Sequence, residues 1–185
     1  MSPDDPDHLH DDELHISVDL ARRLLAGTAY AGLRVRRLPS SGSSNALFRL
    51  GPDLLLRLPR QPGGSSSIIK EARWLPRLDL PTATPRIEYV GDPGADYPEH
   101  WSVVRWINGV PPVAGAGGPG LARDLASVLR RLRAEVVDRE ALEDQALRWY
   151  RAEPMTGIDD DVREAIAACR ALPGLDLDLD AAERL

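Results

Sequence analysis

Residues 41–60, SGSSNALFRLGPDLLLRLPR, decide the fold of this chain. Two apolar runs with strand character, 46–50 and 54–58, are joined by a short Gly-Pro-Asp turn. Upstream, residues 33–36 alternate apolar and polar side chains, and the small-residue segment 40–44 separates them from the next run. The pattern predicts an antiparallel meander of three strands, with a flexible loop between the first two.

The third predicted strand carries one charged residue, Arg57, inside its apolar run. Side chains alternate across a strand, so Arg57 shares a face with Leu55, and an inward face would require a partner for the charge. Glu71 lies in a helix predicted over 68–75, and a helix packed beside the strand would bring its carboxylate to the guanidinium. Taken alone, such residues are more often a surface arginine of an edge strand and a solvated glutamate.

The flanking sequence extends this into an α+β pattern. A helix capped by Ser17 is predicted over 18–26, and two further strands over 86–90 and 101–107. Apolar residues then recur at helical spacing after Pro119. The predicted divisions are an acidic disordered tail (1–15), a first lobe with a sheet and helix (16–108), a hinge or linker rich in glycine and proline (109–120) and a partial helical lobe (121–185).

Composition limits the classes of function. Six of the 29 acidic residues lie within residues 1–15, so the rest of the chain balances 23 basic residues. Bulk charge therefore favours neither nucleic-acid binding nor an acidic surface role. The single cysteine, Cys169, excludes an internal disulfide, and no apolar run approaches the ~20 residues of a membrane span. With no signal peptide visible, we expect a cytoplasmic protein.

Several histidines and aspartates suggest metal ligands at first sight. His8, His10 and His15 belong to the predicted tail, where nothing fixes a ligand geometry. The Asp159-Asp160-Asp161 run is explained by capping at a helix start. The alternating Asp176, Asp178 and Asp180 are typical of a solvated connection before a helix. No metal site is therefore predicted.

The order of features is more specific than any one of them: a glycine-containing loop, a basic residue on strand three, a glutamate on the next helix, a strand entering a hinge, and then helices. This is the layout of a protein-kinase-like N-terminal lobe. Segments 41–50, 56–60 and 70–78 together resemble the aminoglycoside phosphotransferase family. Segments 81–85 and 101–109 fit that family as well. The resemblance is close over 19–112 and looser in the helices after Pro119.

The resemblance implies a nucleotide site that takes ATP with Mg²⁺. The loop 41–44 would cover the phosphates, and Arg57, held by Glu71, would replace the strand-three lysine that contacts the α- and β-phosphates. Arginine keeps the charge of lysine but differs in reach and geometry. The backbones of Arg105 and Ile107 would meet adenine, and two valines would line the pocket. The implied ATP-binding residues are Ser41, Gly42, Ser43, Ser44, Arg57, Glu71, Val103, Val104, Arg105 and Ile107.

One departure from the family pattern bears on activity. Phosphoryl transfer in this fold requires a catalytic Asp, a metal-binding Asn and a second Asp that binds Mg²⁺. The family carries them in a His-Gly-Asp…Asn segment and a later strand end, and the sequence contains neither. His100, followed by Trp101, lies before the hinge. No catalytic residue and no Mg²⁺ ligand is therefore assigned, and we expect this chain alone to be inactive.

Three hypotheses follow. The chain is the front part of an ATP-dependent phosphotransferase, truncated within a helix predicted from residue 181, whose whole form acts on a hydroxyl of an aminoglycoside-type antibiotic or related metabolite and confers antibiotic resistance. Alternatively, it is a non-catalytic remnant that binds a nucleotide or a partner and self-associates through Leu125, Leu129 and Leu132. In the third hypothesis it is an unrelated α+β domain in which Arg57 and Glu71 form a structural ion pair. ATP binding that depends on Arg57 discriminates the first from the third.

Overall fold

The computed structural model describes residues 11–39, 42–109, 119–135, 138–147, 159–171 and 179–180. The chain divides into two compact units, Met1–Val136 and Val137–Leu185. The sheet and the candidate site belong to the first unit. Of the linker predicted over 109–120, residues 110–118 lie outside the described ranges, as do Asp176, Asp178 and the helix predicted from 181.

Five strands form one antiparallel sheet within the described part of the chain. They are β1 Val35–Arg37, β2 Asn45–Leu50, β3 Leu54–Pro59, β4 Ile87–Gly91 and β5 Trp101–Arg105. Their order in the sheet is β1-β2-β3-β5-β4, so the first three strands make the predicted meander and the last two are exchanged. The predicted α+β class with a five-stranded sheet and an accompanying helix is confirmed.

The first helix, α1 at Val18–Leu25, covers one face of the sheet. It begins as predicted: the Ser17 hydroxyl accepts a hydrogen bond from the amide of Leu20 at 3.1 Å and satisfies one of the helix's unpaired donors. Its buried side packs against alternate residues of the strands, which places the main apolar core on this face. The core includes Leu20, Ala21, Leu24, Leu25, Phe48, Leu50, Leu56, Leu58 and Val103.

The second helix, α2, spans Ser65–Trp74 and continues into a 3₁₀ turn at Leu75–Arg77. It begins earlier than the predicted residue 68. Gly64, at the N-cap position, has no side chain that could mark the start, and the first turn holds no acidic residue. The amide of Ser65, the first residue of α2, is bound instead by a side chain from a distant part of the chain.

The N-terminal segment differs from its prediction. Acidic composition predicts a disordered tail through residue 15, but Glu13 forms an ion pair with Arg60 in which both side chains are almost fully buried. The amide of Leu14 donates to the carbonyl of Arg60 at 2.7 Å, and Gln61 donates to the carboxylate of Asp12 at 2.8 Å. The prediction fails here because these partners lie far along the sequence. His8 and His10 fall outside the described residues.

The described residues after the sheet include three further α-helices, α3 to α5. In the first unit, α3 spans Pro119–Arg133 and exposes four leucines: Leu121, Leu125, Leu129 and Leu132. In the second unit, α4 spans Arg139–Glu143 and α5 spans Asp159–Arg170. Asp138 caps α4, accepting from the amide of Ala141 at 2.8 Å. Asp159 is the first residue of α5 rather than its cap. No helix in the described ranges is long and apolar enough to cross a membrane.

Candidate functional site

Arg57 of β3 and Glu71 of α2 form a two-point ion pair. Nη1 of Arg57 lies 2.6 Å from Oε2 of Glu71, and Nη2 lies 3.1 Å from Oε1. The side chains are 14% and 35% exposed, so the pair is sheltered from water on one side. The predicted contact between strand and helix is confirmed, and the geometry is the fork-to-carboxylate arrangement that arginine favours.

An apolar cavity of about 610 Å³ adjoins this pair. Leu47 of β2, Leu55 of β3 and Val104 of β5 share one face of the sheet because their strands are paired in that register. Arg57 lies on the same face, as its alternation with Leu55 predicted. The remaining lining residues are Glu71, Leu75, Pro85, Arg105, Trp106 and Ile107. The cavity thus combines apolar walls with one charged pair, a composition typical of small-molecule sites.

The two valines predicted to line this cavity lie on opposite faces of the sheet. Val104 lines the cavity. Val103 is fully buried in the core under α1, opposite Leu56 of β3. Strand alternation makes it impossible for adjacent residues to share a face, so the assignment of Val103 is corrected.

The segment leaving β5 was expected to offer backbone groups to a base. The amide of Arg105 donates to the carbonyl of Arg86, and the amide of Trp106 donates to that of Asp53, each at 2.8 Å. These two donors are therefore occupied by the sheet. The Ile107 amide makes no hydrogen bond to other described residues, and its side chain is 40% exposed beside the cavity. The guanidinium of Arg49 lies over the ring of Trp106, 4.0 Å from the ring centroid.

In the loop between β1 and β2, Ser41 lies outside the described residues, which resume at Gly42. Gly42, Ser43 and Ser44 are exposed. The carbonyl of Ser44 accepts from the amide of Arg60 at 2.9 Å, which fixes the foot of the loop to the end of β3. In the described part of the chain, the lining of the cavity includes none of these three residues.

Sequence reasoning missed Glu99, which is 5% exposed and lies just before β5. Its Oε1 accepts from the amide of Gly63 at 2.8 Å, and its Oε2 accepts from the amide of Ser65 at 2.6 Å. Desolvation acts to raise the pKa of Glu99, but hydrogen bonds from Ser65 and Gly63, and the charge of His100, together lower it below its ordinary value. The only feature of the sequence that pointed to this contact was the absence of a local cap for α2. The amides at a helix start need an acceptor, and without a local one the acceptor must come from elsewhere in the chain.

Two residues close to Glu99 in the sequence, Tyr97 and His100, also form hydrogen bonds to distant parts of the chain. The hydroxyl of Tyr97 donates to the carbonyl of Pro59 at 2.7 Å, and the amide of His100 donates to the Ser65 hydroxyl at 2.7 Å. Burial, with the Glu99 charge as a second cause, raises the pKa of Tyr97 far above its ordinary value, so its hydroxyl stays a donor. The described residues contain no group of three or more His, Cys, Asp or Glu placed to hold a metal ion.

Comparison with known proteins gives a family and a fold. Residues 35–184 match the model of the phosphotransferase enzyme family. The structure is similar to the GDP complex of aminoglycoside 2'-phosphotransferase-IIIa, with a TM-score of 0.63 and 20% identity over 89% of this chain and 55% of that one. It is also similar to ADP-bound APH(2'')-Ib, with a TM-score of 0.55 and 15% identity over 84% and 50% of the two chains.

A third similar structure is the ternary complex of streptomycin, ATP and APH(2")-IIa, with a TM-score of 0.53 and 16% identity over 92% of this chain and 57% of that chain. At these identities the likeness shows a shared fold. The chain spans about half the length of these solved structures. A search of curated proteins found no significant match.

Proposed function

Because this chain belongs to the phosphotransferase enzyme family, we propose that its first unit binds a nucleoside triphosphate as a phosphoryl donor. The observation that carries the proposal is the Arg57–Glu71 pair at the edge of an apolar cavity. A nucleotide needs both elements, since its base is planar and its phosphates are anionic. Three solved structures of similar fold are complexes with GDP, ADP and ATP.

The proposed assignment places the base against the apolar sheet face formed by Leu47, Leu55 and Val104, with the Ile107 amide as hydrogen-bond donor to the ring. Arg105 can contribute only its carbonyl, because its amide is already bound to Arg86. These groups recognise a flat ring by burial of apolar surface and one directed hydrogen bond. ATP remains the expected donor, and GTP is the alternative to measure.

The phosphates would lie toward the charged end of the cavity. Arg57 contacts them with a guanidinium that Glu71 holds in place, so binding does not have to order a free side chain. Gly42, Ser43 and Ser44, together with Ser41, would approach the phosphates through backbone amides and hydroxyls. The described residues do not provide a ligand set for Mg²⁺, and no step is assigned to it.

The acceptor in the whole architecture is proposed to be a hydroxyl of an aminoglycoside-type antibiotic or a related small molecule. The sequence contains no His-Gly-Asp…Asn segment, so none of its residues is assigned as the group that orients the acceptor hydroxyl. We therefore expect these 185 residues to bind the donor without transferring its phosphoryl group.

Titration calorimetry with ATP and GTP analogues that resist hydrolysis tests the proposal. We expect Arg57→Ala to weaken binding at least about tenfold, since hydrogen bonds to charged groups contribute roughly 1.5–3 kcal/mol. The matched control is Arg22→Ala, which removes an exposed guanidinium from α1 and should leave binding unchanged. A wild-type chain that binds neither nucleotide, or an Arg57→Ala variant that binds as well as wild type, would contradict the proposal.

A second candidate function is a non-catalytic module that associates with itself. The observation favouring it is the row of exposed leucines on α3, which are 42–58% exposed. Apolar rows of this kind are typical of surfaces that bind another protein surface. A melting temperature that rises with protein concentration, and falls back in a Leu125→Lys variant, would support this candidate; a concentration-independent monomer would count against it.

A further inference from the structure

The N-terminus of α2 is capped from outside its own sequence neighbourhood. The first amides of a helix have no partner within the helix. Gly64 provides no side-chain cap, and the first turn carries no acidic residue. Glu99 supplies both the missing acceptor, for the amide of Ser65, and the missing acidic group. It lies 34 residues beyond Ser65, in the connection between β4 and β5. A carboxylate here also complements the positive end of the helix dipole.

This cap holds α2 against the end of β3, the strand that carries Arg57. Gly64 lies so close to Pro59 that a Cβ atom on the glycine would be 2.3 Å from the Pro59 Cβ. Tyr97 donates to the Pro59 carbonyl, so the segment that carries Glu99 is tied to the same strand end. The start of α2, the end of β3 and the Glu99 connection therefore form one rigid junction.

Glu71 lies in the same helix as the capped amide of Ser65, six residues further on, which is about 9 Å along a helix axis. Its two hydrogen bonds to Arg57 require both carboxylate oxygens to stay in place. A shift or fraying at the start of α2 would be transmitted along this short stretch and would break the two-point geometry first.

We propose that Glu99 is a positioning residue for the nucleotide site. By holding the amide of Ser65, the first residue of α2, and that of Gly63 just before the helix, it sets where the Glu71 carboxylate meets the Arg57 guanidinium, and so how well Arg57 is prepared to bind the phosphates of a nucleoside triphosphate. This inference rests on the proposed function, because it concerns the affinity of that same site. Glu99 itself, buried at the N-terminal end of the helix, is not among the residues that line the cavity.

A double-mutant cycle separates positioning from a general loss of stability. Glu99→Gln keeps the side-chain size, removes the charge and points an amide donor at backbone N–H groups. We expect it to weaken binding of a non-hydrolysable ATP analogue about tenfold while the chain remains folded. In a Glu71→Gln background the same change should have no further effect, because the pair it positions is already broken. Equal effects in both backgrounds, or no effect in either, would overturn the proposal.

The matched control is Asp96→Asn, which removes an exposed acidic group from the same connection and keeps its backbone conformation. Its affinity should equal that of wild type. Urea titrations of all variants identify any that are unfolded at the assay temperature. Should Glu99→Gln fail to fold, Ser65→Ala, which removes the hydroxyl bound by the His100 amide, perturbs the same junction more mildly and should weaken binding in the same direction; unchanged affinity would then count against the proposal.

A readout without nucleotide keeps this inference distinct from the proposed function. Two-point pairing restricts rotation of a guanidinium, so the Arg57 Nη signals in nitrogen NMR should be resolved in wild type and in Asp96→Asn. They should merge in Glu99→Gln and in Glu71→Gln. If the wild type binds no nucleotide, the proposed function fails, and these signals still decide whether Glu99 positions the pair. Signals that stay resolved in Glu99→Gln would overturn it.

Discussion

The guanidinium of Arg57 reaches both carboxylate oxygens of Glu71, with Nη1–Oε2 and Nη2–Oε1 distances of 2.6 and 3.1 Å. A lysine at this position could not reproduce this contact, because its ammonium is a single nitrogen on a flexible stem and cannot place two separate donors against the two oxygens. The helix and the strand are thus joined by an orientation-dependent contact. That contact is what gives the pair a structural role in addition to its proposed role in binding.

Arg57→Lys should lower the free energy of unfolding by about 1 kcal/mol. Hydrogen bonds to charged groups contribute roughly 1.5–3 kcal/mol, and the partial exposure of Glu71 reduces that figure through solvent screening. Urea titration measures the change. The exposed pair of Arg22 and Asp19 on α1 is the control, since Arg22→Lys should change stability by less than about 0.5 kcal/mol. Equal stability of Arg57→Lys and wild type would show that the two-point geometry contributes nothing.

Removing one partner of this pair should cost more than removing both. Glu71→Leu leaves the mostly buried guanidinium of Arg57 without its carboxylate, and we expect a loss of about 1–3 kcal/mol. Adding Arg57→Met should restore part of that loss, because two apolar side chains then face each other. Chemical denaturation of the two single variants and the double variant tests this. A double variant less stable than either single variant would contradict it.

The stability of the protein should depend on Glu99 in acid. Its pKa is lowered in the folded state from the ordinary value of 4.5, so the ionised carboxylate stabilises the fold. That contribution is complete above the ordinary value and is lost as the pH falls through the lowered value. Unfolding measured from about pH 6 to about pH 2.5 should show wild type more stable than Glu99→Gln at the upper end, with the difference shrinking in acid. A difference that is constant across this range would contradict the assignment.

Gly91 should tolerate no side chain. A Cβ atom there would lie 2.0 Å from Cε2 of Trp101, a buried indole whose Nε1 donates to the carbonyl of Asp92 at 3.0 Å. We expect Gly91→Ala to destabilise the protein by about 2 kcal/mol or more, as overpacking of a core does. The control is Gly94→Ala in the connection that follows β4, where a Cβ would meet nothing within 4 Å. Differential scanning calorimetry should show a lower melting temperature for the first variant only.

Glu13→Gln should destabilise the protein by about 3 kcal/mol, because it leaves the guanidinium of Arg60 buried beside a neutral group. Asp11→Asn, an exposed acidic residue of the same segment, is the control and should change stability by less than about 0.5 kcal/mol. Thermal melts of both variants test this. A Glu13→Gln variant as stable as the control would show that the segment contributes nothing to the fold.

The parts of the fold that could be predicted depend on neighbouring residues. The meander was predictable because alternation and a tight turn define β2 and β3 locally. The Arg57–Glu71 contact was not predictable from the two residues alone, which favour a surface arginine; it was predicted because the order of loop, strand, helix and hinge resembles a kinase-like lobe.

The parts that could not be predicted depend on residues far apart in sequence. Glu99 reaches Gly63 across 36 positions, and Glu13 reaches Arg60 across 47, so no local pattern marks either contact. The hydrogen bond from the Arg105 amide likewise depends on how the chain enters β4, because its acceptor is the carbonyl of Arg86. The error at Val103 was of another kind, since strand alternation already separated it from Val104.

The docking of residues 12–14 on the end of β3 also bears on the order in which the chain acquires its structure. These residues leave the ribosome before Arg60, so their contacts with Arg60 form only after Arg60 has been made. The hairpin of β2 and β3 closes a far shorter loop, and short loops cost less entropy to close. A segment synthesised before the strands is therefore fixed only after those strands have paired.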